Sequence, residues 1–124
     1  MKKCILLVED NEPIRENTTE LLELLHYEVI VARDGKQALD RIQEKTPDLI
    51  VSDIMMPGID GYELLHTLRE NHPMESLPFI FLTASSEKKD IEKGMCMGAS
   101  GYITKPFQAD ELIQLIRNVL KSRS

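Results

Sequence analysis

Short apolar runs alternate along this chain with longer amphipathic stretches, and no other feature constrains the fold as strongly. The runs occupy residues 4–8, 29–32, 49–51, 79–82 and 101–103. The third run is apolar throughout, without the alternation of a half-exposed strand, which implies burial on both faces. Strand-like runs separated by helical periodicity are typical of βαβ units, so the sequence predicts an α/β fold with a parallel sheet. A length of 124 residues suits one domain over residues 1–124.

The amphipathic stretches predict helices with recognisable ends. The first has Pro13 in its first turn, and Asp34 is placed to cap the second. The stretch 85–98 is different, because it carries several charges and only Ile91 and Met95 as obvious apolar anchors. We expect it to form the least stable helix of the fold.

The residues that follow the strands indicate the order of the strands. Strands one, three, four and five lead into residues able to do chemistry, which are Glu9 with Asp10, Asp53, Thr83 and Lys105. Strand two leads only into a plain helix cap. In open parallel sheets the site lies beyond the carboxyl ends of the strands, where strand order reverses. We therefore predict a flavodoxin-like, doubly wound five-stranded sheet of order 2-1-3-4-5, with helices on both faces.

Three carboxylates converge in this arrangement, those of Glu9, Asp10 and Asp53. Without a compensating charge they would repel one another and raise one another's pKa. A hard divalent cation relieves this repulsion, and Mg²⁺ takes oxygen ligands from one or a few carboxylates while keeping positions for water or phosphate. The sequence therefore predicts a Mg²⁺ site at this edge of the sheet.

Asp53 is the candidate nucleophile, because it ends the central strand. A carboxylate beside Mg²⁺ can attack phosphorus and form an aspartyl phosphate. Lys105 can bring a cation to the phosphoryl oxygens, and Thr83 can donate a hydroxyl hydrogen bond. Taken singly, Asp10 is also explained as a helix cap and Asp53 as a turn former. Thr83 alone is also explained as a structural residue at a strand end, and Lys105 alone as a solvated surface residue. The functional interpretation therefore depends on these residues occurring together at the strand ends.

Five segments carry a more specific signal, in order and at suitable spacing. They are LLVEDN at 6–11, PDLIVSD at 47–53, MMPGIDG at 55–61, LTA at 82–84 and GASGYITKPF at 98–107. On these segments the chain resembles the receiver domain of bacterial two-component response regulators over nearly its whole length. The resemblance implies that Asp53 is the phosphoacceptor. It also implies that Asp10 and Asp53 bind the metal directly, Glu9 through water and Met55 through its backbone carbonyl.

The same resemblance implies a conformational switch. Lys105 matches the lysine that contacts the phosphoryl group, and its bond to Pro106 matches one that is commonly cis. Thr83 and Tyr102 match the switch pair, in which the hydroxyl moves toward the phosphate and the ring turns inward. Ala84, small as in the family, leaves the phosphate accessible.

The resemblance further implies how the signal arrives and leaves. The donor is a phosphohistidine on a sensor kinase or phosphotransfer protein. The domain is expected to catalyse its own phosphorylation and dephosphorylation without being a conventional enzyme. The signal passes to an effector, an attached output domain or a second copy of the chain. We expect the fourth helix, fifth strand and fifth helix to form that surface. The positions that tune phosphoryl lifetime in the family are Met55 and Ser85 here, neither of them acidic or amide-bearing.

Three other functions are compatible with a fold of this class. A flavodoxin-like cofactor binder needs a Ser/Thr/Gly-rich loop after strand one, and residues 9–12 read EDNE instead. A P-loop hydrolase needs GxxxxGK[ST], which the sequence lacks. A receiver-like module that is never phosphorylated would not need the acidic pair Glu9 and Asp10 together with Asp53, Thr83 and Lys105. Titration with a phosphodonor and Mg²⁺ separates it from the main interpretation.

Composition and scattered residues exclude further classes. The net charge of −6 argues against direct nucleic-acid binding by this domain. The apolar start is too short for a signal peptide and no stretch is long enough to span a membrane, so we expect a cytoplasmic location. Cys4 and Cys96 predict neither a zinc site nor a disulfide, and the stretch 95–97 (MCM) is interpreted as apolar filler. The histidines are interpreted as surface residues: His26, His66 and His72.

Overall fold

Strands and helices alternate along the chain in the computed structural model, which describes residues 2–71, 76–84 and 87–123. The strands are β1 (Cys4–Val8), β2 (Glu28–Ala32), β3 (Leu49–Asp53), β4 (Phe79–Thr83) and β5 (Gly101–Thr104). The helices are α1 (Glu12–Leu24), α2 (Gly35–Glu44), α3 (Gly61–Glu70), α4 (Lys88–Cys96) and α5 (Ala109–Arg123). Each predicted strand is confirmed, and four of the five extend by one or two residues beyond the predicted bounds.

The sheet is parallel, and its order is β2-β1-β3-β4-β5, as predicted. Its register aligns the carboxyl ends of the central strands. Val8 lies opposite Ser52, and Asp53 lies opposite Leu82. Residues just past β1 therefore come level with Asp53 at one edge of the sheet.

Both faces of the sheet are covered, because successive side chains of a strand point to opposite sides. On β1, Leu6 and Val8 pack toward α2 and α3, whereas Ile5 and Leu7 pack toward α1 and α5. Every residue of β1, β3 and β4 is buried. The unbroken apolar runs are thus explained by burial on two faces, as a parallel sheet requires.

The helix starts follow from local capping chemistry. The side chain of Asp34 accepts a hydrogen bond from the Gln37 backbone N–H at 2.8 Å, which confirms the predicted cap. The cap of α1 is Asn11, whose side-chain oxygen accepts from the Ile14 N–H at 3.0 Å. The capping explanation of Asp10 is therefore wrong, and its carboxylate has another environment.

The predicted helix 85–98 is shorter in the structure, where α4 spans Lys88–Cys96; residues 85–86 lie outside the described part of the chain. Met95 is 43% exposed, so it is not the expected anchor. Gly94 is buried instead, and a Cβ there would lie 2.7 Å from the ring of Phe81. Because Gly94 has no side chain, α4 packs directly against this ring. The spacing of apolar residues in the sequence does not reveal a contact of this kind.

The cysteines and histidines lie largely where the sequence predicts them to be. Cys4 is buried and Cys96 exposed, and both are free thiols. His26 and His66 are exposed, whereas His72 lies outside the described residues. Along the part of the chain that the structure describes, none of the helices is long and apolar enough to span a bilayer.

Candidate functional site

Three carboxylates meet at the carboxyl edge of the sheet. Oxygen atoms of Glu9, Asp10 and Asp53 all lie within 4.8 Å of one another. Glu9 is completely buried, Asp53 is nearly so and Asp10 is exposed. The sequence predicted this convergence, and the exposed member gives the cluster an opening to solvent.

Glu9 is held in position by the backbone around it. Its own N–H donates to the carbonyl of Ala32 at 2.9 Å, which continues the β1–β2 ladder past Val8. The backbone N–H of Asn11 donates to Glu9 Oε2 at 3.1 Å, and Arg15 Nη1 donates to the Glu9 carbonyl at 3.0 Å. The buried carboxylate is therefore oriented by the turn that leads into α1.

Lys105 brings one positive charge to this cluster. Its Nζ lies 2.6 Å from Glu9 Oε1 and 3.1 Å from Asp53 Oδ2. The side chain reaches the site from the end of β5, where the Lys105 N–H donates to the Thr83 carbonyl at 2.7 Å. The following bond, to Pro106, is cis. One ammonium group thus links the carboxylates that follow β1 and end β3.

Burial and the neighbouring charges shift the pKa of two groups in this cluster, Glu9 and Lys105. Burial raises the pKa of Glu9, while hydrogen bonds from Lys105 and from the Asn11 N–H oppose that rise in part. Burial alone would lower the pKa of Lys105, but its hydrogen bond to Glu9 and the charges of Asp53 and Glu9 prevail and raise it. Lys105 therefore remains an ammonium at neutral pH.

The donor set suits a hard divalent cation. Three carboxylates face one ammonium, so in their ionised forms they leave an excess of negative charge, and all candidate ligand atoms are oxygens. Mg²⁺ prefers such ligands and retains waters, which the exposed side of Asp10 can admit. Met55, whose carbonyl is the fourth candidate ligand, follows β3 in a loop, and its side chain is 75% exposed.

A cleft of about 500 Å³ opens beside the end of β3. Its walls include Met55, Thr83 and Ala84. Thr83 is buried at the end of β4, and Ala84 is exposed. The cleft therefore lies between the loop after β3 and the start of α4, with Thr83 and the acidic residues Glu87 and Asp90 in its walls.

Tyr102 lies on the other side of Thr83. The two residues share a narrow cavity of about 10 Å³ with Phe81 and Ile91, and the Tyr102 side chain is 40% exposed. This volume holds about one water molecule. An inward turn of the Tyr102 ring therefore needs additional space, which a shift of Thr83 or of α4 has to provide.

Sequence reasoning missed one contact near the site, that of Tyr62. Its hydroxyl donates to the carbonyl of Asp90 in α4, and its ring packs edge-on against Phe81. Tyr62 follows the matched segment 55–61 directly, but nothing in the local sequence indicates that α4 lies beside it. Ser85, the second residue implied to tune phosphoryl lifetime, lies outside the described residues.

Comparison with known proteins agrees with this geometry. A family model described as response regulator receiver domain matches residues 5–117. The response regulator Rre1 of Synechocystis sp. is 40% identical over 94% of this chain and 51% of that protein. The phosphate regulon transcriptional regulatory protein PhoB of Pseudomonas aeruginosa is 40% identical over 96% of this chain and 52% of that protein. The chain thus spans about half the length of the curated relatives it matches.

Solved structures match over almost the whole chain. The Francisella response regulator 1452 receiver domain superimposes with a TM-score of 0.92 at 33% identity, covering 99% of this chain and 100% of that one. The chemotaxis protein CheY4 of Vibrio cholerae superimposes with a TM-score of 0.91 at 30% identity, covering 96% of this chain and 99% of that one. The sheet order and the similarity in sequence therefore lead to the same family.

Proposed function

Because this chain belongs to the response-regulator receiver-domain family of two-component signalling, we propose that Asp53 accepts a phosphoryl group from a phosphohistidine of a sensor kinase or phosphotransfer protein. The observation that carries the proposal is the contact of Lys105 with both Glu9 and Asp53 beside the exposed Asp10. A carboxylate held next to a cation and within reach of solvent is placed to act as a nucleophile.

The transfer is a substitution at phosphorus. An Asp53 carboxylate oxygen forms a bond to phosphorus while the bond from phosphorus to the donor's imidazole nitrogen breaks. The electron pair of the broken bond stays on the imidazole. Lys105 is within 3.1 Å of the attacking carboxylate and is placed to pair with the added phosphoryl oxygens.

We assign the metal ligands to Glu9, Asp10, Asp53 and the Met55 backbone carbonyl. Bound there, Mg²⁺ would offset the negative charge that the transferred group adds to this edge of the sheet. Glu9 is already engaged by Lys105 and by the Asn11 N–H, which suits a ligand that acts through water. Asp10 is exposed and suits a direct ligand.

The signal leaves through a change of packing next to Asp53. The Thr83 hydroxyl moves toward the phosphoryl group, and the Tyr102 ring turns into the space behind it. Their shared cavity supports this coupling. The face made by α4, β5 and α5 then serves as the surface for an effector, an attached output domain or a second copy of the chain.

Replacement of the nucleophile tests the proposal. Asp53→Asn keeps the shape of the side chain and removes the carboxylate, so incubation with acetyl phosphate and Mg²⁺ should add one phosphoryl group to the wild type and none to the variant. Intact-mass spectrometry reads this out. Asp40→Asn, an exposed position on α2, is the matched control and should be phosphorylated like the wild type.

The same experiment separates the competing function. A receiver-like module that works without phosphorylation would show no incorporation in the wild type at any Mg²⁺ concentration. Full incorporation in Asp53→Asn would instead move the acceptor to another residue. A loss confined to Asp53→Asn supports the assignment.

A further inference from the structure

Helix α3 reaches across to α4 through one side chain. Tyr62 Oη donates to the carbonyl oxygen of Asp90 at 3.2 Å, in the first turn of α4. One turn further along α4, the ammonium of Lys93 lies 4.2 Å from the centroid of the Tyr62 ring. A hydrogen bond and a cation–π contact from one phenol thus hold two successive turns of α4.

This connection bears on how α4 is held in place. Its N-cap residue, Glu87, makes no side-chain capping hydrogen bond, and the buried residue of the helix is Gly94, seated on Phe81. The Tyr62 ring packs against the same Phe81 at a centroid distance of 5.4 Å. Tyr62 therefore packs against the ring on which α4 rests. It also makes the hydrogen bond and the cation–π contact that hold α4 there.

The connection also lies between α4 and the candidate site. Tyr62 and Asp90 line the cleft whose other walls include Thr83. On the far side of Thr83, the cavity of about 10 Å³ is too small for the Tyr102 ring. Three of the residues that line this cavity, Asp90, Ile91 and Met95, belong to α4. Where an inward turn of the ring is accommodated by a shift of α4, that shift stretches or breaks the bonds from Tyr62.

We propose that Tyr62 is a positioning residue that holds α4 in its unphosphorylated arrangement and thereby lowers the readiness of Asp53 to be phosphorylated. The inference rests on the proposed function, since it assigns a regulator to the same site. Burial, together with the charges of Asp90 and Asp60, raises the pKa of Tyr62, so the phenol keeps its proton through neutral pH.

The expected sign follows from population shift. A bond present in one of two arrangements favours that arrangement, and its loss raises the population of the other. A ligand that binds the second arrangement then binds with higher apparent affinity. A merely structural bond, present in both arrangements, would leave that affinity unchanged.

Beryllofluoride with Mg²⁺, a mimic of the phosphoryl group, is the probe. Tyr62→Phe removes the hydroxyl and keeps the ring, and we expect the probe to bind about fivefold more tightly, the effect of one hydrogen bond of ordinary strength. Hydrogen exchange of α4 amides in the unmodified variant should also become faster. Tyr27→Phe deletes the same atom beside α1, on the opposite face of the sheet, and should change neither quantity.

A second pair of variants isolates the cation–π contact. Lys93→Gln should tighten binding of the probe, whereas Lys88→Gln removes a charge from the same helix away from Tyr62 and should not. If the wild type binds the probe and neither Tyr62→Phe nor Lys93→Gln binds it more tightly, this inference is overturned and the proposed function stands. If the wild type fails to bind the probe, the proposed function is contradicted, and so is this inference, which depends on it.

Discussion

Helices α1 and α4 both follow strands that lead into site residues, but they are held in place by different means. α1 has 13 residues, is capped by the Asn11 side chain and buries Thr18 and Leu22. α4 has 9 residues, lacks a side-chain cap at Glu87 and buries a glycine. Since apolar burial supplies most of the stability of a helix in a protein, α1 is anchored far more firmly than α4.

This asymmetry matches the two tasks of the proposed site. The turn into α1 holds Glu9 through the Asn11 N–H, which donates to its carboxylate, and the guanidinium of Arg15, which donates to its carbonyl, so this buried carboxylate is oriented before any ligand arrives. The opposite side carries Thr83 and α4, the helix whose buried residue is a glycine. A receiver needs one rigid half to hold charge and one half of low local stability to move.

Hydrogen exchange on the unmodified protein should show the largest difference between the two helices. Amides in α1 are expected to exchange roughly 100-fold or more slowly than those in α4, after correction for intrinsic rates, because α4 opens locally without global unfolding. Mass spectrometry or NMR at neutral pH measures both helices in one sample. Equal protection factors would remove the basis of the comparison.

The same measurement on the beryllofluoride–Mg²⁺ complex tests where the signal leaves. Altered protection is expected in 87–105, which covers α4 and β5, with little change in α1 and α2. Changes confined to β2 and α2 would show that the output surface lies at the other edge of the sheet. The unmodified protein with Mg²⁺ alone is the control.

Replacement of Lys105 should have the next largest effect, on stability. Lys105→Met keeps the length of the side chain but leaves the buried Glu9 carboxylate without its cation, at a cost of about 3 kcal/mol in the free energy of unfolding. Urea denaturation at neutral pH without Mg²⁺ measures it. Lys36→Met, an exposed position on α2, should lie within about 0.5 kcal/mol of the wild type.

The pH dependence of Lys105→Met gives a sharper test. The pKa of Glu9 is already raised by burial from its usual value of 4.5, and loss of Lys105 should raise it further. Between the unfolded and the raised folded pKa the folded state binds more protons, so its stability increases as the pH falls. The deficit of Lys105→Met should therefore shrink on acidification through this range. A deficit independent of pH would mean that the lysine acts by packing alone.

The fold was largely predictable because its signals are local. Apolar runs located every strand. The contrast between strand two, which leads into the helix cap Asp34, and the other four strands, which lead into candidate site residues, indicated the order of the sheet. The attachment of α4 was not predictable, since the contact of Gly94 with Phe81 depends on a missing side chain and on residues far apart in sequence. Periodicity pointed to Met95, which is half-exposed.

The site was predictable to a similar extent. Parallel strand ends bring Glu9, Asp53 and Lys105 to one edge whatever the details of packing, so their proximity followed from topology. The hydrogen bond of Lys105 to Glu9 did not follow, because it depends on a rotamer and on burial of the carboxylate. The contact of Tyr62 with α4 was not predicted either, because it joins two helices whose relative position no local sequence pattern encodes.

Mg²⁺ should stabilise the folded chain by binding the carboxylates that the rigid half of the site holds together. At a concentration ten times its Kd, a ligand of the folded state adds about 1.4 kcal/mol, so thermal melts with and without Mg²⁺ should differ. Asp10→Ala should raise the melting temperature without metal, by relieving repulsion, and should gain less from Mg²⁺. Asp40→Ala on α2 is the control. Identical wild-type melts and no heat of binding by calorimetry would contradict the metal assignment.

The smallest expected effect concerns the two helix caps. Asn11→Ala removes the acceptor for the Ile14 N–H and should cost about 1 kcal/mol, whereas Asn11→Ser keeps an acceptor and should recover most of it. Glu87→Ala removes no capping bond and should change stability by less than about 0.5 kcal/mol. Urea denaturation of the three variants measures the difference. Equal losses at Asn11 and Glu87 would mean that α4 is capped in solution as firmly as α1, and the contrast between the two helices would then have to come from their buried faces alone.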